Sequence, residues 1–354
     1  MPPSTRIPPL LQSCVHVPHD DSLLLVTSTL GASANWLLVR FLCDALSAAN
    51  APNGNNDGHN VVLVSWMRDY EFWKQESRKG VGLDLERLRR EGRLAFVDGL
   101  SGLCLGHGGG QQEDAHLSTP RGTATLPARG IPEARTASAR NPRIPTPPVA
   151  QRMSTIDTPN EIAGTAKSAH GLHTLNSLDL THLRNSITTA LSQLASTSPQ
   201  LPDPRRTILI LDNPDLLLAL NPVITTSAIS SLILTLHTLP TVSHVITHIQ
   251  SDTPLLSPST PPQPLELAHH NLLVKMAHMS RRVVGVRVLD TGIARDVSGV
   301  IRVTEQNVGW QGLEVDDRVQ DKHDLGSNGE EFLYQVKGDG SVRVFERGAG
   351  GGEA

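Results

Sequence analysis

The sequence has few cysteines and few aromatic residues, and these two shortages limit what the protein can be. The three cysteines, Cys14, Cys43 and Cys104, are scattered and odd in number. We therefore expect a reducing compartment and no disulfide framework. Aromatic residues make up 3% of the chain, and none lies between Phe96 and Trp310. The middle of the chain therefore cannot offer the aromatic stacking platform that is common in single-strand nucleic-acid binders.

Strong charge and long apolar runs are also missing. The formal net charge is −4, so no overall basic field favours nucleic acid. No run reaches the ~18 apolar residues that a membrane span requires, and the Pro-rich start has no signal-peptide core. With 354 residues the chain can bury a substantial core. We expect a soluble protein of the cytoplasm, and also of the nucleus, with no membrane partner.

Composition divides the chain into segments. Residues 106–169 are rich in Pro, Gly, Ser and Thr and poor in large apolar residues, so we expect a disordered insert. Its arginines leave two interpretations open, a solvated linker or a tethering arm for an acidic partner. The remaining segments are a flexible N-terminal arm at 1–21, the two halves of one domain at 22–105 and 170–347, and a flexible tail at 348–354.

The apolar pattern predicts strands that alternate with helices. Predicted strands lie at 23–26, 61–66, 94–98, 207–212, 242–249, 283–289, 300–304, 332–336 and 342–345. The last two form a hairpin. Asp69 and the Asn221-Pro222 pair are predicted helix starts, and residues 251–264 a Pro-rich loop. This order predicts an α/β fold with a mainly parallel sheet, flanking helices and antiparallel C-terminal strands, in a single domain with a long insert.

Residues 22–42 form the context of a phosphate-binding loop: an apolar strand, small turn-forming residues and then a helix. The chemistry of that loop is missing. In G-x-x-x-x-G-K-[ST], Ser28 and Ser33 replace the glycines, Ala34 replaces the lysine and Asn35 replaces the residue that would hold Mg²⁺. Gly31 is the loop glycine that remains. We interpret these residues as a degenerate phosphate loop without its charge.

A strand-end acid and the histidines are the remaining candidates for metal chemistry. Asp212 follows an apolar strand, as the Mg²⁺-binding acid of nucleotide hydrolases does, but Asn213 follows it instead of a second carboxylate. Two histidines on one strand, His244 and His248, would lie roughly 13 Å apart, too far for one zinc ion. We expect these two and the other histidines, among them His170, His173, His269, His270 and His278, to be surface groups. We expect no metal, cofactor or catalytic residue.

Two enzymatic alternatives remain. The first is an active nucleotide hydrolase built on the same loop and Asp212. The second is a serine hydrolase, because residues 31–35 match G-x-S-x-G except for Asn35 at the last glycine. Ser33 would then be the nucleophile, with Asp212 and a later histidine.

Four stretches together resemble subunit six of the Elongator complex. They are VTSTLGASANWLLVRFL, VVLVSWMRDYEFWKQESRKGVGLDL, RLAFVDGL and TILILDNPDLLLAL. The resemblance implies a catalytically inactive, ATPase-like RecA fold that joins two sister RecA-like subunits in a heterohexameric accessory ring. That ring contacts tRNA and supports the modification of wobble uridines by the rest of Elongator. The insert at 106–169 and the loop at 251–264 depart from the compact family pattern, and the resemblance assigns no catalytic residue here.

Overall fold

The computed structural model describes residues 7–47, 58–104, 170–197, 205–257, 259–292, 294–306 and 329–346. These residues all belong to one compact unit. The predicted insert at 106–169 and the predicted tail at 348–354 lie outside the described residues.

The elements follow the predicted alternation closely. The strands are β1 (Ser22–Ser28), β2 (Asn60–Ser65), β3 (Leu94–Asp98), β4 (Leu172–Thr174), β5 (Thr207–Asp212), β6 (Val242–Gln250), β7 (Arg282–Arg287), β8 (Gly299–Glu305), β9 (Glu330–Val336) and β10 (Val342–Glu346). The helices are α1 (Pro9–Val15), α2 (Asn35–Ser47), α3 (Tyr70–Val81), α4 (Leu85–Arg90), α5 (Ser101–Cys104), α6 (Leu180–Thr197), α7 (Leu216–Leu220), α8 (Thr226–His237), α9 (Thr253–Leu256) and α10 (Pro264–Met279).

The strands form a single sheet in the order β10-β9-β8-β7-β1-β6-β5-β2-β3-β4. All pairs from β7 to β4 are parallel. The pairs β7–β8, β8–β9 and the predicted hairpin β9–β10 are antiparallel. The sheet is mainly parallel, flanked by helices and extended by antiparallel C-terminal strands, as the order of elements in the sequence predicted, so the predicted α/β fold class is confirmed.

Two apolar cores lie on the two faces of the sheet. Helices α1 to α4 cover one face, which we call the α2 face, together with residues of β9. Helices α6, α7, α8 and α10 cover the other, which we call the α10 face. Neighbouring strand residues alternate between the cores, Leu24 and Val26 on the α2 face and Leu23 and Leu25 on the α10 face. A strand buried on both sides reads as a continuous apolar run, which explains the strong sequence signal of β1.

The predicted flexible arm at residues 1–21 is wrong where the structure describes it. Residues 9–15 form α1, and Leu11 and Val15 are fully buried. Arg282 Nη1 donates to the carbonyl oxygens of Cys14 (2.9 Å) and His16 (2.8 Å) at the end of this helix. An arginine distant in sequence thus satisfies carbonyl groups that the helix leaves unpaired, a tertiary contact that composition does not reveal.

One predicted helix start is also wrong, and the other is correct. Asp69 caps α3, since its side chain accepts a hydrogen bond from the Phe72 amide. Asn221 instead ends α7, and its side-chain oxygen accepts from the Val223 amide at 3.1 Å. An asparagine favours such a local turn as readily as a helix cap. Helix α8 begins later and is capped by Thr225.

The predicted loop at 251–264 is likewise only partly a loop. It contains the short helix α9, and Pro264 is the first residue of α10, a position that suits proline. None of the described helices is both long and apolar enough to cross a membrane.

Candidate functional site

The loop between β1 and α2 keeps the backbone of a tight strand-to-helix turn but carries no positive charge. Gly31 has a φ of +87°, in the left-handed region that favours glycine. The exposed Ser33 accepts a hydrogen bond through its hydroxyl from the Asn35 amide at 3.2 Å, at the start of α2. Ala34 is fully buried in the α2-face core, where a lysine would bury its charge. The positions that would bind phosphate and metal are therefore used for local structure and packing.

Beside this loop, polar side chains from four adjacent parallel strands form a continuous row, which we call the polar row. It consists of Ser28 on β1, His248 on β6, Asp212 on β5 and Ser65 on β2. Strand register brings these residues together, because Asp212 pairs with both His248 and Ser65 in the sheet. In each of these strands the apolar residue two positions earlier faces the α2 core. The row therefore lies on the α2 face, at the carboxyl end of the strands, where ligands bind in open α/β sheets.

The hydrogen bonds of the polar row are short. His248 Nδ1 lies 2.8 Å from Asp212 Oδ1, and His248 Nε2 lies 2.8 Å from Ser28 Oγ. The Ser65 hydroxyl donates to Asp212 Oδ2 at 2.7 Å and accepts from the Arg68 amide at 3.0 Å. Each carboxylate oxygen of Asp212 thus has a donor within the protein. Both oxygens of this buried carboxylate are therefore engaged inside the protein, and Asp212 is not exposed to solvent.

Serine, histidine and aspartate in this order form the constellation of a serine hydrolase, but with a different serine from the predicted one. Ser28 takes the place next to histidine, whereas Ser33 bonds to its own loop. The relative exposure of Ser28 is 1%, that of His248 is 2% and that of Asp212 is 0%. A nucleophile must reach its substrate, and this hydroxyl does not reach solvent. The polar row therefore has the connectivity of a triad without its access.

A second buried pair lies on the α10 face. Asp215 Oδ2 is 3.2 Å from His269 Nε2, and both residues are buried. Asn213, with a φ of +58°, carries the chain through the turn from Asp212 towards Asp215. The expectation of surface histidines is thus wrong for His248 and His269, because each bonds to a carboxylate inside the protein. It is also wrong for His244, which is buried at the opposite end of β6.

The other predicted histidines differ in exposure. His170 and His278 are exposed, whereas His173 and His270 are partly buried. Within the described ranges, no three or more His, Cys, Asp and Glu side chains are grouped so that they could hold a metal ion.

An open cavity of about 380 Å³ adjoins the start of α2. Three aromatic side chains line it, Trp36 from α2, Phe72 from α3 and Tyr334 from β9. Polar groups come from the loop residues Ser33 and Asn35 and from Glu76 on α3, which together with Gly31, Ser298 and Val336 complete the lining. This volume lies within the range of small-molecule sites, which are mostly apolar with a few placed polar groups.

The ionisable groups at the cavity are Glu76 and Tyr334 in its lining and Arg40 behind it. Arg40, one turn after Trp36 in α2, is buried and donates to the carbonyl oxygens of Trp36 and Gly340, each at 2.9 Å. Burial lowers the pKa of Arg40 to about 10, while Cys43 and the Glu76 carboxylate act in the opposite direction. Burial also raises the pKa of Tyr334 to about 12, so its phenol is neutral at physiological pH. None of the lining residues is a lysine or an arginine.

Sequence reasoning found Asp212 and the degenerate loop but missed His248 as the partner of that acid. A signal was present, because a histidine in a predicted buried strand needs a polar partner inside the protein. What the sequence does not contain is the strand order that places β6 between β1 and β5. The aromatic cavity had no local signal at all, since its rings come from residues far apart in the chain.

No protein-family model matches the chain, and no curated protein matches it. Among solved structures, the chain is similar to a KaiC-like protein from the hyperthermophilic archaeon Pyrococcus horikoshii OT3. The sequence identity is 10%, the alignment covers 97% of each chain, and the TM-score is 0.46.

Proposed function

We propose that this protein is a non-catalytic, RecA-like subunit of the Elongator complex. In this role it joins two sister RecA-like subunits in a heterohexameric accessory ring of the cytoplasm, and also of the nucleus. The ring contacts tRNA and supports wobble-uridine modification, while the catalytic centre lies in another subunit. The four sequence stretches that resemble subunit six motivate the family, and the site motivates the absence of catalysis.

The observation that carries the non-catalytic part is the state of Asp212. In a nucleotide hydrolase the strand-end acid holds Mg²⁺ beside a loop lysine that binds the phosphates. Here both carboxylate oxygens accept hydrogen bonds from His248 and Ser65, and Ala34 replaces the lysine. The phosphate-binding charge is missing and the strand-end carboxylate is buried in hydrogen bonds to the protein, so the site supports a role in assembly better than one in hydrolysis.

ATP turnover by the purified chain tests the non-catalytic assignment. We expect no turnover above background for the wild-type protein or for Asp212→Asn, with circular dichroism as the folding control. Turnover that disappears in a folded Asp212→Asn variant would favour the alternative, an active nucleotide hydrolase. A fluorophosphonate probe tests the serine-hydrolase alternative, and labelling lost in Ser28→Ala or Ser33→Ala would favour it.

Analysis of tRNA tests the Elongator assignment. Mass spectrometry of tRNA from cells that lack the protein should show the wobble-uridine side-chain modification lost, and the wild-type gene should restore it. The double variant Ser33→Ala, Asn35→Ala should restore it equally, because the loop is proposed to bind no essential nucleotide. Normal modification in the deletion strain would refute the assignment. Failure of the loop variant alone, with ring assembly intact, would indicate a nucleotide-dependent role.

Binding of tRNA is expected from the assembled ring and not from this chain alone. The chain is acidic overall and has few aromatic residues, so it offers neither the basic surface nor the stacking platform of a strong RNA binder. The affinity of the ring should fall as salt rises. Tight binding of tRNA by the isolated chain would contradict this part of the proposal.

A further inference from the structure

The open cavity next to α2 has walls that already accommodate guanidinium groups. The Arg40 Cζ atom lies 5.8 Å from the centroid of the Trp36 ring. The Arg68 Cζ atom lies 5.1 Å from the centroid of the Phe72 ring. Both distances are within the ~6 Å over which an aromatic ring attracts a cation. Two of the three aromatic rings of the cavity are therefore in contact with a cation of the protein itself.

The carboxylate of the cavity, Glu76, acts electrostatically on Arg40 but makes no direct contact with a cation among the described residues. Glu76 is partly buried and lines the cavity. It makes no hydrogen bond and no ion pair with any residue in the described part of the chain. Arg40 makes no direct ion pair with it, because Arg40 Nη1 and Nη2 donate to the carbonyl oxygens of Trp36, Gly80 and Gly340. A partly buried carboxylate whose oxygens accept no hydrogen bond favours a ligand that donates hydrogen bonds and carries positive charge.

The remaining polar groups argue against an anion. A phosphate at the start of α2 would gain from the partial positive charge of the helix end. No lysine or arginine lines the cavity, however, and the Glu76 carboxylate would repel the phosphate. The aromatic walls offer area for an apolar stem, while Ser33 and Asn35 offer oxygen acceptors.

We propose that this cavity binds a guanidinium group on a short apolar stem, as in an arginine residue or free arginine. The Glu76 carboxylate pairs with the guanidinium group, whose planar fork matches a carboxylate in two hydrogen bonds. The rings of Trp36, Phe72 and Tyr334 pack against the stem. This inference is independent of the proposed function, since it concerns the ligand of the cavity and not the chemistry of the polar row.

Nuclear magnetic resonance titration of the full chain tests the proposal. The probe is N-acetyl-L-arginine N-methylamide, and its matched control is the citrulline derivative, which has nearly the same shape but no charge. The indole N–H signal of Trp36, assigned as the signal absent from Trp36→Phe, should shift and saturate with the arginine derivative. We expect the citrulline derivative to bind about tenfold or more weakly. Free L-arginine separates the sources, since weaker binding than the capped derivative indicates a side chain within a protein.

Two variants and one control connect the binding to the cavity. Glu76→Gln should weaken binding of the arginine derivative about tenfold, and Phe72→Leu should weaken it about threefold. Glu71→Gln removes the same charge from the same helix at an exposed site paired with Lys74, and it should leave binding unchanged. Equal binding of the arginine and citrulline derivatives would overturn the proposal. Binding unaffected by Glu76→Gln, or no saturable shift of the Trp36 signal, would overturn it as well.

Discussion

Strand β6 carries two histidines on the same face of the sheet, one near each end, and they have different hydrogen-bond partners. His248, at the carboxyl end, has both ring nitrogens within hydrogen-bond distance of a side chain, Asp212 on one side and Ser28 on the other. His244, at the amino end, has its Nε2 atom 3.0 Å from the Pro18 carbonyl oxygen. Its buried Nδ1 atom has no partner among the described residues.

The neighbours of the two histidines explain the difference. His244 lies beside His59, with ring centroids 6.1 Å apart. Burial lowers the pKa of His244, although the Pro18 carbonyl and the Asp21 carboxylate act in the opposite direction. Burial and the neighbouring His244 lower the pKa of His59 to about 4. Burial thus keeps His59 and His244 neutral at the amino end. At the carboxyl end, His248 bonds to the Asp212 carboxylate. One residue type in one strand can therefore have different hydrogen-bond partners, depending on the strands beside it.

Removal of each histidine in turn should affect stability to different extents. His248→Ala leaves the Asp212 carboxylate buried with one donor fewer, so we expect the free energy of unfolding to fall by about 3 kcal/mol. His244→Ala removes one bond to a carbonyl and should cost about 1 kcal/mol. Urea denaturation measures both, with the exposed His278→Ala as a control that stays within about 0.5 kcal/mol. Equal losses for the two buried histidines would contradict the distinction between the ends.

A change of pH should act on the amino end. The folded pKa of His59 is about 4, whereas the unfolded value is about 6.5. Between these values the unfolded chain binds a proton that the folded chain does not. The free energy of unfolding therefore falls as the pH decreases from about 6.5 to about 4, by about 2 kcal/mol for this partly buried group. His244 contributes in the same direction.

Comparison with a His59→Gln variant isolates this contribution from that of the carboxylates. We expect the wild type to lose more unfolding free energy than His59→Gln when urea denaturation is repeated at pH 6.5 and pH 4.5. Identical losses in the two proteins would show that His59 is not kept neutral by the fold.

A serine-to-alanine change should have a larger effect on the free energy of unfolding at the carboxyl end of the central strands than at their amino end. Ser65, next to Asp212, donates to its carboxylate, so Ser65→Ala should lower the free energy of unfolding by about 1–2 kcal/mol. Ser22 pairs with His244 in the sheet register, and its buried hydroxyl has no hydrogen-bond partner among the described residues. Ser22→Ala should therefore be neutral or slightly stabilising. Thermal or urea unfolding of the two variants checks this smallest difference, which a loss at Ser22 equal to that at Ser65 would refute.

Much of the fold was predictable because its signals are local. The apolar strands β1, β2 and β5 are buried on both faces and stand out as continuous apolar runs. Asp69 was correctly identified because a helix cap is a contact within one turn. The arm at residues 9–15 was misassigned because Arg282, distant in the chain, holds the end of α1.

The candidate site was predictable only in part. The loss of the phosphate-loop charge is visible in Ala34 and Asn35 alone, since that motif is a run of neighbouring residues. The burial of His248 against Asp212 was not predicted, and the Ser33 hypothesis selected the wrong serine. A histidine 36 residues from its acid can be assigned a partner only when the order of the strands is known.

Three features could be predicted from the sequence alone: the alternation of strands and helices, the antiparallel hairpin at the C-terminal end and the loss of the phosphate-loop lysine. Each depends on side chains a few residues apart, where period and propensity act directly. The tertiary structure, by contrast, brings Ser28, His248, Asp212 and Ser65 into one row. It also places Trp36, Phe72 and Tyr334 in one cavity with Glu76. Strand register and helix packing set these contacts. The residues in contact are far apart in the chain, so no periodic pattern in the sequence indicates that they meet.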